Sequence, residues 1–354
     1  MQHSASLGTF QGTSKWLSSM ELEVVGEDQC ARWDRLVDDS PHGTVFHKSF
    51  WLTTCAASLN KKMRIYGCYE RGELVGGCSL YVHEGRFLRT AESNAVMTPY
   101  GGFVLAPPRS KDLRREEKRY RDIVECLLQA FAQESFDVVR ITNPPEFLDI
   151  RPLTWNGWRS GVRYAYYLDL DTFEENMSKD VRWTAKKAAK NGIRIRRLEN
   201  PDPSSYYKLF SMTFKRQNLE PPATQEFLEK VLDALASEGA GEMWMAETPA
   251  GDIASAEIIA WDTKRAYRWS AASDTRFRET GATSLLLCEV FRDLKRRGFK
   301  EINLMAANTP QLGKFVASFN PRLMSYYSVE RKGDLARIAG LVHRAMKRKR
   351  GRYV

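Results

Sequence analysis

The chain has 354 residues, a net charge of +10 and 43% hydrophobic residues, enough for about two domains, each with its own core. No run of about 18 apolar residues occurs, so a membrane-spanning helix is not expected. Six cysteines (30, 55, 68, 78, 126 and 288) form no C-x-x-C pair, and the five histidines do not cluster with them; the composition points to reduced thiols in the cytoplasm and gives a metal site no support.

Residues 1–20 are rich in Ser, Gly and Thr and lack a basic stretch followed by an apolar one, so they read as a disordered leader and not as a secretion signal. Helices are predicted near Glu27–Val37 and Phe50–Leu59. The segment from Met63 to Thr90 then alternates as a β-hairpin around Glu70-Arg71-Gly72-Glu73. Pro99-Tyr100-Gly101-Gly102 breaks the chain, Arg119–Ser135 is predicted helical, and Asp137–Thr142 is predicted to be a strand.

The second half repeats this order. Tyr206–Asn218 and Gln225–Ser237 are predicted helices, and Glu242–Glu247 pairs with Ile253–Trp261 across the turn at residues 248–252. A strand through Tyr267 and Trp269, a turn, a helix and a strand through Ile302 and Leu304 follow. Leu286, Val290, Leu294 and Arg297 define the helix. Thr283 or Ser284 is its expected cap, and Gly298 its left-handed stop. Strands alternating with helices predict an α/β layered fold of two similar units, 21–170 and 171–333, followed by a basic tail at 334–354.

Two patches carry the positive charge. Residues 178–197 hold eight Lys/Arg against one Asp, and residues 331–354 hold nine against one. In the first patch Lys179, Arg182, Lys186 and Lys190 stack on one helix face. Such a stripe suits a pyrophosphate, a tRNA backbone or an anionic saccharide carrier; a solvated surface helix is the alternative. In the second, Leu335, Ile338, Val342 and Met346 make an apolar seam flanked by Arg337, Arg344 and Lys347. That pattern suits an anionic membrane face or nucleic acid, unless the helix simply docks on the body.

The turn before the last long helix carries the sharpest signal. Arg276, Arg278, Gly281, Ala282 and Thr283 stand where helix N–H groups meet two guanidiniums, an arrangement suited to a phosphate. Arg278-Glu279-Thr280-Gly281-Ala282 resembles the R-x-x-G-x-G/A pyrophosphate loop of GNAT-fold N-acyltransferases, with Thr283 in place of its last small residue. A doubled unit of this kind is similar to the FemAB-type acyltransferase superfamily: a basic helix opens the second copy, and a Gly-Glu-Leu-Val-Gly hairpin and a Thr-Pro-Tyr-Gly-Gly break mark the first. The resemblance runs over about residues 21–331. Near the end, Phe315-Val316-Ala317-Ser318-Phe319-Asn320 departs from the family's F-K-x-x-F-G at Val316 and Asn320, leaving Lys314 one position early.

The resemblance implies two tandem GNAT-like domains packed around a shared cleft and transfer of an acyl group from acyl-CoA (acetyl-CoA) or an aminoacyl-tRNA. The acceptor would be an amine of a lipid-linked or soluble saccharide or peptidoglycan-type precursor, in the cytoplasm or at the inner membrane face. A non-catalytic nucleic-acid- or membrane-binding protein that keeps the fold is the other reading. Acyl transfer to an amine requires a proton acceptor and an oxyanion donor. Glu257, in an apolar strand, and Asp274, at the end of the next, are candidate bases; an outward-facing position and a turn cap are their alternatives. Acceptor contacts fall to Lys186, Lys190, Arg216, Tyr267, Trp269 and Lys314, with core packing expected for at least one of the two aromatics. The first copy shows no such loop, and Pro107-Pro108 stands near its place without N–H groups to offer. Only the second copy is expected to bind donor.

Overall fold

The computed structural model describes residues 20–198, 202–216, 218–334 and 336. The first half runs β1 (Met20–Val24), α1 (Cys30–Asp39), α2 (Ser49–Ser58), β2 (Lys62–Glu70), β3 (Glu73–Glu84), β4 (Arg89–Glu92), β5 (Gly102–Leu105), α3 (Leu113–Gln133), β6 (Val138–Thr142), α4 (Arg151–Trp155) and β7 (Arg159–Asp169). The second runs α5 (Phe173–Asn176), α6 (Lys179–Lys190), β8 (Arg194–Leu198), α7 (Pro203–Lys215), α8 (Gln225–Ser237), β9 (Gly241–Glu247), β10 (Ile253–Trp261), β11 (Ala266–Ser273), α9 (Ala282–Arg296), β12 (Glu301–Met305), α10 (Pro310–Ala317) and β13 (Arg322–Lys332). The leader lies outside the described residues except for Met20, and the C-terminal tail, with its whole apolar seam, lies outside them except for Asp334 and Ala336.

The α/β layered expectation holds, and the layers share one sheet. Its order is β1-β2-β3-β4-β6-β13-β7-β12-β11-β10-β9-β8, with β5 paired to β3. Two strands absent from the predicted elements, β7 and β13, make the join. They pair antiparallel from Arg159–Glu330 to Tyr167–Arg322, while β13 continues onto β6 and β7 onto β12. Neither is legible from alternation, because Arg159 to Tyr164 are exposed and give no two-residue apolar repeat.

The sheet separates three cores. On one face α1, α2, α7 and α8 enclose a shared core in which Phe46 and Trp51 of the first half meet Tyr267 and Trp269 of the second, at ring-centroid distances of 5.1 and 5.2 Å. On the other face α3 covers the first half, and α6 with α9 covers the second. Alternation sends Met243 and Met245 to the shared core and Trp244 and Ala246 to the outer one.

Local chemistry explains where elements begin and turn. The hairpin turn is left-handed at Arg71 (φ 54°) and Gly72 (φ 77°), as a two-residue connection requires. Helix α3 starts earlier than its apolar pattern suggests, because the Asp112 carboxylate accepts hydrogen bonds from the N–H groups of Arg114 and Arg115.

The turn between β10 and β11 locks the halves together. Asp262 accepts from the Val45 N–H at 3.0 Å and the Tyr267 hydroxyl at 2.6 Å, while the Lys264 ammonium donates to the carbonyls of Val37, Asp38 and Ser40 at the end of α1. Arg265 pairs with Glu146 and Glu301. His42 and His47 lie behind this turn, and burial, with Lys264 adding, lowers both from 6.5 to about 4.

Above pH 6.5 the two imidazoles are neutral whether the chain is folded or not. Below it the unfolded chain binds protons that the native one refuses, so stability falls down to about pH 4, by up to about 1.4 kcal/mol per pH unit for each histidine. Urea unfolding at pH 7 and pH 5 is expected to show this loss, and a His42→Leu variant a shallower one.

Candidate donor and acceptor site

Strands β11 and β12 pair in parallel only at Ala266–Ile302 and Tyr267–Asn303. Beyond these pairs β11 stays with β10 and parts from β12, which opens main-chain groups of β11 in the middle of the sheet. A bulge marks the opening. Ile258 pairs with Ser270 and Ile259 with Arg268, leaving Trp269 as the extra residue.

Three residues beside the opening hold left-handed backbones that non-glycine residues seldom adopt: Met97 (φ 58°), Met305 (φ 57°) and Ala306 (φ 54°). Hydrogen bonds fix them. The Met97 carbonyl accepts from Trp269 Nε1 at 2.8 Å, and the Met305 N–H donates to the Asn303 side chain at 2.9 Å. Asn303, fully buried, donates to the Tyr100 hydroxyl at 2.9 Å and so ties the Thr-Pro-Tyr-Gly-Gly segment of the first half to the second. Backbone strain concentrated in this way is typical of functional sites.

The anion turn leads from β11 into α9. Asp274 caps a short 3-10 turn (Thr275–Thr280), accepting from the Arg276 N–H at 2.9 Å and from the Arg276 guanidinium at 2.9 Å, and those bonds hold its carboxyl below the usual range. Gly281 then takes φ 79° and becomes the N-cap of α9. Thr283 and Ser284 do not cap the helix as the sequence pattern suggested; the N-cap is a glycine without a side chain, the Thr280 hydroxyl accepts from the Ala282 N–H at 3.3 Å, and the Thr283 hydroxyl donates to Ser255. The first-turn amides of α9 therefore start without an internal anion.

Gly281 is required on two counts. Its φ disfavours a side chain, and a Cβ there would stand 2.5 Å from both the carbonyl oxygen and the methyl of Thr184 on α6. Around it Arg278 is exposed with no ion-pair or hydrogen-bond partner among the described residues. Arg216, exposed at the end of α7, donates to the Ser273 carbonyl at 3.4 Å. Arg276 and Arg216 are thus tied to Asp274 and Ser273 at the end of β11, and Arg278 lies in the turn that leads into α9.

Other candidates sit elsewhere. Glu257 is fully buried, and both its oxygens accept from Arg268, at 2.8 and 2.6 Å; burial raises its pKa and the guanidinium opposes that rise. Tyr267 is enclosed in the shared core, and Trp269 is 8% exposed beside the opening. Lys314 is exposed on α10, while Val316 on that helix and Phe319 just beyond it are buried in the outer core. Lys186 and Lys190 are exposed on α6 but lie about 160° and 120° around the helix from Thr184, the residue that touches Gly281.

A polar groove lies at the junction of the halves, and apart from Thr98 and Pro99 of the Thr-Pro-Tyr-Gly-Gly break the sequence pattern did not single out its residues. It is lined by Glu92, Arg140 and Thr142 of the first half, Asn94 and Thr98 of the connecting loop, and Arg163 and Tyr326 of β7 and β13. The register explains the grouping. Glu92 is opposite Arg140, Arg140 opposite Glu330 and Arg163 opposite Tyr326, which puts them on the face that carries the shared core. Arg140 bridges Glu92 and Glu330, each at 2.8 Å. The only cue in the sequence was the same break, with its glycine pair after Tyr100: Gly102 has φ 93°, and a Cβ there would meet the Asn143 side chain at 2.3 Å.

Residues 175–310 match the acetyltransferase (GNAT) domain family. The match lies in the second half, which therefore carries a GNAT domain. Three solved structures of similar fold cover nearly the whole chain. FemX is 11% identical, with a TM-score of 0.66 over 87% of this chain and 96% of that one. The C-terminal domain of a putative lysylphosphatidylglycerol synthetase from Agrobacterium fabrum is 14% identical, with a TM-score of 0.54 over 89% and 95%. A tandem GNAT protein from the clavulanic acid biosynthesis pathway is 13% identical, with a TM-score of 0.53 over 88% and 98%. No curated protein matches the chain in sequence.

Because the Glu257–Arg268 pair is buried, removing one partner strands the other. Glu257→Leu is expected to lower the unfolding free energy by about 3–5 kcal/mol, and adding Arg268→Met to restore most of it. Urea denaturation of the single and double variants measures both effects.

Proposed function

We propose that the protein transfers an acyl group from acyl-coenzyme A to an amine, with the donor in the second half and the acceptor in the groove between the halves. The observation that carries this reading is the contrast between two equivalent helix starts. Helix α9 opens at a left-handed glycine with no anionic cap, only the neutral Thr280 hydroxyl on its first amide, and with Arg278 free beside it among the described residues, whereas α3 opens on its own Asp112 carboxylate. A pyrophosphate finds amides and guanidiniums at the first and an anion already seated at the second.

In this reading the thioester carbonyl lies in the β11–β12 opening, where a main-chain N–H polarises it. Arg276 and Arg278 hold the pyrophosphate with the amides of Ala282 and Thr283, and Arg216 closes that side. Asp274 acts as a positioning residue for Arg276, since bonds to Arg276 keep it ionised. Glu257 positions β11 through Arg268, and the proton of the attacking amine leaves through water. Arg163, with no anionic partner among the described residues, suits an acceptor bearing carboxylate or phosphate, a chemistry that includes cell-envelope saccharide and peptide precursors, while Arg140 is held by Glu92 and Glu330. An aminoacyl-tRNA donor is the second reading, favoured by the likeness of fold to FemX.

Acetyl-coenzyme A at about 100 times its dissociation constant should stabilise the protein by about 2.7 kcal/mol, visible as a rise in melting temperature. Arg278→Ala should abolish most of that rise, and Asp112→Ala should leave it unchanged. Stabilisation by aminoacyl-tRNA alone, lost on ribonuclease treatment, would replace the thioester donor with the tRNA one.

A further inference from the structure

Helix α6 carries a feature that acyl transfer does not use. Val181, Ala185 and Ala188 pin it to the body, and on the far side Trp183 stands 64% exposed. Lys179, Lys186 and Lys187 lie four before it and three and four after it, so they neighbour the indole on the helix surface, and Lys190, seven after it, continues the same face two turns on. All four are exposed, none has an anionic partner among the described residues, and Lys187 Nζ lies 5.1 Å from the ring centroid of Trp183. The helix has one acid, Asp180, in its first turn.

A large indole left in water within a ring of unneutralised ammonium groups marks a contact surface. We propose that this face of α6 seats the protein on an anionic lipid surface. The charge is complementary to acidic headgroups, and an indole beside long-stemmed lysines inserts at the level where headgroups meet acyl chains. Lysine point charges on a convex helix suit a laterally mobile headgroup layer. The face holds no Asn, Gln or Ser to read a base edge, and the guanidinium at its margin, Arg182, is engaged by the carbonyls of Glu174 and Glu175. The arrangement also accounts for Lys186 and Lys190 being turned from the anion turn: they serve a lipid surface while the donor binds on another side of α6.

The test is co-sedimentation of the full chain with vesicles of phosphatidylcholine, with and without about one third phosphatidylglycerol. Variants are Trp183→Ala, Lys186→Glu with Lys190→Glu, and, to separate the C-terminal tail, Lys347→Glu with Lys349→Glu. Binding confined to the anionic vesicles, lowered by added salt, reduced about tenfold or more by the α6 double variant, further reduced by Trp183→Ala, and retained in part by the tail variant is the expected result. Acetyl-coenzyme A stabilisation intact in the α6 variants shows that they are folded and keeps this result separate from the donor reading. Vesicle binding unchanged by both α6 variants would overturn the proposal. So would binding carried wholly by the tail, or α6-dependent binding to a single-stranded RNA oligonucleotide with none to vesicles.

Discussion

The pairing of β7 with β13 is the constraint on which the rest of the structure depends. Each strand spends its other edge on a different half, β13 on β6 and β7 on β12, so the two units share main-chain hydrogen bonds through the middle of one sheet. Separating them would expose ladder groups along both strands, each of which costs free energy when left unpaired. The halves are therefore fixed in register. The groove that contains Arg140 and Arg163 is as rigid as the sheet that forms its floor, and the Asp262–Arg265 turn clamps the same junction from the helix side.

Against this shared frame the two halves differ where an anion would sit. Both have a strand, a loop and a helix in the same order. In the first the helix start is closed by Asp112; in the second it is opened by Gly281, and Thr184 of α6 packs where a side chain would otherwise project. On the proposed reading, the duplicated fold offers one phosphate site, and the equivalent part of the other copy shapes the groove. The loop after β4 does so, reaching across to Asn303 and Trp269 through Tyr100 and the Met97 carbonyl.

Much of the fold was legible because its elements carry periodic signals. Gln225–Ser237 and Ile253–Trp261 fall where the apolar pattern puts them, and the Arg71-Gly72 turn follows from its residues. Elements at the junction were not legible. β7 and β13 lie where the sheet is partly uncovered, so no alternation marks them, and pairing between residues 138–169 and 322–332 is a long-range property. At the site, the turn at Arg278–Gly281 was visible as a local motif. The burial of Glu257 was not, because a carboxylate in an apolar strand looks the same whether it faces a cleft or a guanidinium on the neighbouring strand. Glu92, Arg140 and Arg163 of the groove gave no signal either, since they are brought together only by strand register.

The asymmetry of the two helix starts is tested most directly by a crystal structure of the protein with coenzyme A bound. The account predicts the pyrophosphate within hydrogen-bond distance of the amides of Ala282 and Thr283 and beside Arg278, with nothing at the start of α3. A pyrophosphate seated at α3, with Asp112 displaced from the amides of Arg114 and Arg115, would contradict it.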